Sequence, residues 1–577
     1  MAAAAAHNFD RAASAITATM PAATDKPRVE SPLRLIINRS FEGKEPYDVV
    51  KRLVVAYLAA ALGQRVRSIL AGEGLRAYLL GLVMPYIKRL PFVRAKLLKE
   101  TEKLRKSLRP TMLKDLTEPC RELPAEGRPR AELLRLMERR HGLDCKYWHD
   151  GKVTGSIYHG DTDYMEWIGS IYGKFAYTNP LHAMIHPATR QMDAEVIQMV
   201  VNLYNGDAGC CGAFTTGGTE SILMCCKSYR DWGRATKGIA QPNIVVCVTA
   251  HAAFDKAGQY FGIQVRKARA TPGAQEVDLA HVRRLIDANT VALVGSAPQF
   301  AHGTVDDIDG LSHLALEHGC GLHVDCCLGG FLLPFMGRAG YPLARRCDFR
   351  VPGVTTISCD PHKYGFAPKG CSVAMFRSAE LRHHMYCFVT DWTGGIYATP
   401  TMLGSRPGGV VAATWAAMMT HGVDGYVETT RRIVGAVRAI EAGIRTIDGL
   451  EVVGRADVCV VAFGAAPGSG LNPYSVGDAM KALHGWDLAT LQSPAAVHLA
   501  ATLPSAANAA AFVDDLRAAV AAVRADTTGK YSDGTAGVYG MAASLPSAFI
   551  QDSVKVFLDT MASADDPGGD AIEEVAV

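Results

Sequence analysis

A chain of 577 residues is too long for one compact core and implies about two globular domains with appended material. Apolar residues at 49% and charged residues at 20% exclude a wholly disordered chain, and a formal net charge of +3, with no compact Lys/Arg run interleaved with aromatics, excludes a general nucleic-acid binder. The 15 cysteines are scattered or adjacent, as in Cys210-Cys211, Cys225-Cys226 and Cys326-Cys327, which suits buried thiols in a reducing compartment and neither a disulfide framework nor a metal site.

In chain order, residues 1–50 are rich in Ala, Thr and Pro and read as a disordered tail. Their Ala/Ser content and Arg11 leave a mitochondrial transit peptide as an alternative, against which stand Asp10 and the scarcity of Arg. Residues 51–110 carry the apolar stretches VVAYLAAALG and LRAYLLGLVMPYI. Neither reaches the roughly 20 residues needed to cross a bilayer, and Arg65 and Arg67 would fall near the centre of any span joining them. With Lys88, Arg89, Arg94, Lys96 and Lys99 close by, the segment is expected to lie as helices on an anionic membrane surface, the alternative being a helical pair packed on the body.

Residues 111–188 are expected to form an extension that reaches the active site. From about Thr189 strand-like runs NIVVCV, VALVGS, GLHVDC, VTTISC and SVAMF alternate with helical stretches, which predicts an α/β large domain over 189–409 with a mostly parallel sheet covered by helices. Over 410–545 a smaller α/β unit is predicted, opened by a helix whose apolar face holds Ile433, Val437, Ile440, Ile444 and Ile447. Residues 546–577 read as a C-terminal helix and a loose acidic tail.

Four features of the large domain carry chemistry. In VTTISCDPHKYGFAPKG a strand expected to end at Ser358 runs into a loop bearing His362 and Lys363, at the sheet edge where open α/β folds bind ligands. A lysine amine whose surroundings lower its pKa traps carbonyls as a Schiff base, although a lone lysine there is more often a solvated surface group. Asp325, ending the strand GLHVD, could pair with a pyridinium nitrogen and keep such a ring an electron sink, or could merely cap a loop. In TTGGTESILMCC the pair Gly217-Gly218 precedes Thr219 and a helical run, so bare amides, the helix dipole and a hydroxyl could receive a phosphate. Neither a GxxxxGK[ST] nor a GxGxxG accompanies it. His251 follows a fourth strand and could stack on a flat cofactor, a role that gains weight only beside the other three.

Together with TGSIYHGDTDYMEWI, KFAYTNPLH, AHAAFDKAGQYFG, LHVDCCLGGFLLPFM, HKYGFAPKG, DWTGGIYATPTMLGSRPGG and GVYGMA, these residues resemble the fold-type I pyridoxal phosphate enzymes and, within that group of decarboxylase-like proteins, the sphingosine-1-phosphate lyases. The resemblance covers roughly residues 150–560. It implies pyridoxal 5'-phosphate as cofactor, with Lys363 as the Schiff-base lysine, Asp325 as the pyridine partner and His251 as the stacking ring. Gly218, Thr219 and His362 would hold the cofactor phosphate, and Tyr158, His182 and Lys369 would stand near the substrate phosphate. It further implies a homodimer with active sites at the subunit interface, anchored in the endoplasmic reticulum membrane with the catalytic body in the cytosol. The expected reaction is retro-aldol cleavage of the C2–C3 bond of a phosphorylated long-chain base to a fatty aldehyde and phosphoethanolamine. Rival readings are an amino-acid decarboxylase of the same fold and a non-catalytic membrane-bound scaffold. Two departures from the family pattern stand out: Pro361 replaces the usual Thr before the His-Lys pair, and AMIHPATRQ follows NPLH in place of a more acidic stretch.

Overall fold

The computed structural model describes residues 122–145, 148–531 and 547–562, with scattered positions between 55 and 120. The expected tail over 1–50, most of the basic apolar segment and the GVYGMA stretch lie outside the described residues. The chain divides into units 1–70 and 71–577, and the fold described here is that of the second. Among the described residues no helix is long and apolar enough to cross a membrane.

A seven-stranded sheet is built from β1 (Cys211–Thr215), β2 (Asn243–Cys247), β3 (Gln264–Ala268), β4 (Thr290–Ser296), β5 (Gly321–Cys326), β6 (Thr356–Cys359) and β7 (Ser372–Phe376). Its order is β1-β7-β6-β5-β4-β2-β3. Strands β3, β2, β4, β5 and β6 run parallel, and β7 runs antiparallel to both β6 and β1. Alternation along β2 explains why the strands read as unbroken apolar runs. Ile244 and Val246 join one buried cluster with Ile222, Met224 and Phe254, while Val245 and Cys247 join the cluster on the opposite face.

Two strands escape the hydrophobic pattern. β1 hides in a glycine-rich stretch and is tied in by polar links: Thr215 Oγ1 lies 2.6 Å from Ser221 Oγ, which lies 2.8 Å from Ser372 Oγ. β3 is an edge strand, and its Arg266 and Lys267 pair with Asp287 and Asp255 at 2.7 and 2.6 Å, the charged character that protects a sheet edge.

The passage to the second sheet is one helix, Gly408–Ile444, kinked where Gly422 adopts φ 54°. Its first part buries Val410 to Thr414 and Ala416 to Met418 beside the helices Thr162–Phe175 and Pro187–Leu203. Its second part buries Ile433, Val437, Ile440 and Ile444, the stripe expected from their spacing. The second sheet is antiparallel, ordered Leu450–Val453, Val460–Ala465, Ala496–Ala500, Ala489–Leu491. An earlier segment docks on it: Thr154 N–H donates to Asp487 O, Gly155 N–H to Ala500 O, and Leu503 N–H to Tyr158 O. That docking is what carries Tyr158 to the edge of the large sheet.

Candidate active site

The parallel strands all end at one edge, so residues that terminate or follow them converge there. After β1 the chain makes its glycine turn, with Gly217 at φ 155°, and the helix Gly218–Lys237 starts without a side-chain cap. Thr216 donates from both N–H and Oγ1 to Glu220 Oε2, and Met402 N–H donates to Glu220 Oε1, which fixes the turn from outside. A Cβ on Gly218 would lie 2.7 Å from Cys327 Sγ and 2.8 Å from Asp360 Oδ2, so only glycine fits. The first-turn amides and the Thr219 hydroxyl remain suited to an anion.

At the end of β5, Asp325 Oδ1 accepts from Cys327 N–H at 3.0 Å and from Ser358 Oγ at 3.3 Å. Ser358 Oγ also lies 3.2 Å from His323 Nε2, whose Nδ1 lies 2.8 Å from Thr356 Oγ1. Burial works to raise the Asp325 pKa, but the pull of His251 and His323 and the Cys327 amide outweigh it and hold the carboxyl below the ordinary carboxylate value. It is therefore ionised at neutral pH, the state required of a partner for a pyridinium N–H. His251 follows β2, and its Nδ1 accepts from Ala253 N–H at 3.1 Å.

At the end of β6, Lys363 sits in a turn closed by hydrogen bonds from Lys363 N–H to Asp360 O and from Phe366 N–H to Lys363 O. Tyr164 and Tyr426 brace this turn by donating to the carbonyls of Phe366 and Gly365. The Lys363 ammonium lies 2.8 Å from Asp360 Oδ2. Burial favours loss of its charge, but the Asp360 carboxylate reverses the balance and holds its pKa above the ordinary lysine value. The strand-end carboxylate of Asp360 faces the amine and keeps the unreacted side chain charged.

His362 lies over the glycine turn, its Cε1 3.4 Å from where a Gly217 Cβ would be. Burial and the neighbouring lysines outweigh Asp360 and lower its pKa to about 4, so the ring is neutral. Its Nδ1 accepts from Cys371 N–H at 3.2 Å, leaving the ring proton on Nε2.

Lys369 Nζ stands 4.5 Å above the Tyr158 ring, and Tyr158 packs edge-on against Tyr364. Surrounding protein and the Lys363 charge lower the Lys369 pKa to about 8. His182 stands apart: it is exposed in the turn between two helices and contributes only backbone hydrogen bonds to Asn179, Ile185 and His186. Contacts thus link Asp325, Cys327, Gly218, Asp360 and Lys363 into one chain. Asp360 and Cys327 were not singled out from sequence, although Asp360 is a strand-end carboxylate of the same kind as Asp325.

The donor set fits pyridoxal 5'-phosphate. An uncapped helix start suits its phosphate, an ionised buried carboxylate its ring nitrogen, and a buried amine its aldehyde. The second oxygen of Asp360, Oδ1, is buried and has no hydrogen-bond partner among the described residues, which marks this as a site built for something more than packing.

Residues 112–466 match the family model described as the pyridoxal-dependent decarboxylase conserved domain. A Lactobacillus brevis glutamate decarboxylase, 18% identical, superposes with a TM-score of 0.61 over 71% of this chain and 97% of that one, a likeness of fold. Fold and site together therefore define a pyridoxal-dependent enzyme of fold type I. Over 535 residues, 91% of this chain and 96% of the relative, the sequence is 41% identical to a sphingosine-1-phosphate lyase of Drosophila melanogaster. The Saccharomyces cerevisiae sphingosine-1-phosphate lyase is 40% identical over 82% of this chain and 80% of its own. A Burkholderia pseudomallei sphingosine-1-phosphate lyase structure, 38% identical, matches with a TM-score of 0.68 over 72% of this chain and 95% of that chain. The chain belongs to the sphingosine-1-phosphate lyase family.

Proposed function

We propose that this protein cleaves the C2–C3 bond of a phosphorylated long-chain base, releasing a fatty aldehyde and phosphoethanolamine. The observation that carries this reading is the meeting of a paired lysine, an ionised buried aspartate and an uncapped glycine turn at one sheet edge, in a chain with the family's identity along most of its length. When bound, the cofactor supplies an electron sink for the carbanion left by the broken bond. Lys363 would hold the cofactor through its amine. Asp325 would pair with its ring nitrogen, and His251 would lie against its ring. Gly218, Thr219 and the Nε2–H of His362 would hold its phosphate, while Lys369, beside Tyr158, would meet the substrate phosphate.

The protein acts as a homodimer. Tyr177, Met184 and Ile185 are exposed on one loop and Trp392, Ile396 and Met402 on another. The two loops are clipped together, since Arg406 N–H donates to Asn179 Oδ1 and Gly408 N–H to Thr178 O, and exposed apolar side chains of this kind are what a partner covers. His182, exposed on the first of these loops, suits a residue that serves the partner's site. The basic apolar segment over 51–110 holds the enzyme on a membrane surface of the endoplasmic reticulum, with the catalytic body in the cytosol.

Incubation of purified protein with a long-chain base phosphate, with and without added pyridoxal 5'-phosphate, tests the activity. Cofactor-dependent release of fatty aldehyde supports it, and carbon dioxide from an amino acid without aldehyde would overturn it.

A further inference from the structure

We infer that Asp360 is the proton partner of Lys363: it takes the ammonium proton when the amine attacks a carbonyl and returns it to the oxygen that leaves as water. This inference rests on the reading of Lys363 as the cofactor lysine and adds a positioning residue to that site.

The geometry is specific. Asp360 is 1% exposed, with Oδ2 at 2.8 Å from Lys363 Nζ and 3.5 Å from His362 Nε2. Its Oδ1 is buried and unpartnered, and the carboxylate abuts the glycine turn. A buried oxygen left bare is an arrangement retained more readily at a site than in a core. The other titratable groups that act on Lys363 or feel it are Tyr158, Cys327, Cys359, Cys459, His362 and Lys369. Burial raises the Tyr158 phenol and the three thiols, so they keep their protons. Lys369, itself charged at neutral pH, cannot relieve a neighbouring ammonium, and His362 is a poor base with its pKa at about 4. Among the described residues, Asp360 is the one carboxylate in ion-pair contact with the amine.

The step balances. The ammonium proton moves to Oδ2, and the freed lone pair forms the C–N bond as the carbonyl electrons move to oxygen. A second proton passes from nitrogen to that oxygen, Asp360 returns the first, and water departs as the C=N bond forms with one proton left on nitrogen. The carboxylate is regenerated, so one residue serves as base and then acid at the same atom.

The test is cofactor capture, with turnover left out of it. Full-length apoprotein is mixed with pyridoxal 5'-phosphate over about pH 6 to 11, and the imine absorbance gives the rate, its limiting value and its pH midpoint. In Asp360→Asn the amine has no internal acceptor and must give its proton to solvent, so a rate that is level over about pH 6 to 9 in the wild type becomes one that climbs with pH to a midpoint. The limiting rate falls about ten-fold or more, because no internal acid expels water. Asp360→Glu restores the level profile and the rate to near the wild-type values. A merely structural role would slow capture without changing the shape of the profile, so a level profile in folded Asp360→Asn overturns the inference. Should that variant not fold, the wild type still decides: a level profile supports the internal transfer, and a rate that climbs about ten-fold per pH unit toward the ordinary lysine value of about 10.4 refutes it. Capture that survives in Lys363→Ala would instead sink the reading of Lys363 itself.

Discussion

The two sheets of this protein treat polar residues in opposite ways. At the edge of the seven-stranded sheet Asp325, His323, Ser358 and Asp360 are all buried and polar, joined through hydroxyls, amides and one ammonium. In the four-stranded sheet Val460, Val461, Phe463, Val497 and Leu499 are buried and apolar, and the one buried imidazole, His498, rests on the carbonyl of Ala301. The difference follows from strand direction. Parallel neighbours all finish at one edge, so polar groups at strand ends meet there, whereas antiparallel neighbours finish at opposite edges and bring nothing together. Chemistry belongs to the first sheet and packing to the second.

The comparison breaks most visibly at Lys363. Lys363→Ala is expected to lower aldehyde release by at least about 1,000-fold, the scale on which removing a covalent catalyst acts. Steady-state assay with saturating cofactor checks this, and near-normal activity would remove the centre of the proposal. Next comes Asp325→Asn, which keeps the shape but removes the charge that holds a ring proton. A loss of about 100-fold to 10,000-fold is expected, with cofactor still bound as judged by absorbance. Gly218→Ala is smaller. Its methyl would meet Cys327 Sγ at 2.7 Å, and overpacking of about 1–3 kcal/mol should appear as weaker cofactor binding in a titration.

Much of this was legible in the sequence because both faces of the parallel strands are buried. NIVVCV and VALVGS have no polar alternation to misread, and strand ends then located Asp325 and Lys363. β1 was not legible: Cys211–Thr215 is short, and its place in the sheet is held by serine and threonine contacts from distant segments. β3 was obscured by the charges that suit an edge. The ion pair of Lys363 was hidden for a related reason. Burial alone would lower a lysine pKa, but which carboxylate faces it depends on the turn that folds Asp360 back onto it. Tyr158 reaches Lys369 through pairing with Asp487 and Ala500, more than 300 positions along the chain, and local pattern carries no trace of that.

Lys369 sharpens the comparison through pH. Its pKa is lowered to about 8, so the side chain is charged below that pH and neutral above it. A charged amine attracts the substrate phosphate, and a neutral one does not. The ratio kcat/KM should therefore fall as pH rises through about 8, mainly through a rising KM. In Lys369→Gln the KM should be high throughout and this limb of the profile absent. A limb that persists in the variant would assign the titration to another group.

The smallest expected effect on catalysis belongs to the second sheet, and it is the sharpest control. Phe512 is fully buried, its ring edge-on to Trp486 at 4.8 Å and beside Phe463 at 6.5 Å. Phe512→Ala removes that ring from a packed interior, at a cost of about 3–5 kcal/mol in stability, read as a lower denaturation midpoint. At temperatures where the variant remains folded, kcat and cofactor affinity should match the wild type, because the cavity opens among apolar side chains that touch none of Asp325, Asp360 or Lys363. A fall in kcat at full folding would mean that the small sheet transmits its packing to the catalytic edge. The segment that docks on it through Thr154 and Gly155 and carries Tyr158 would be the physical route, and the division of labour between the sheets would then have to be abandoned.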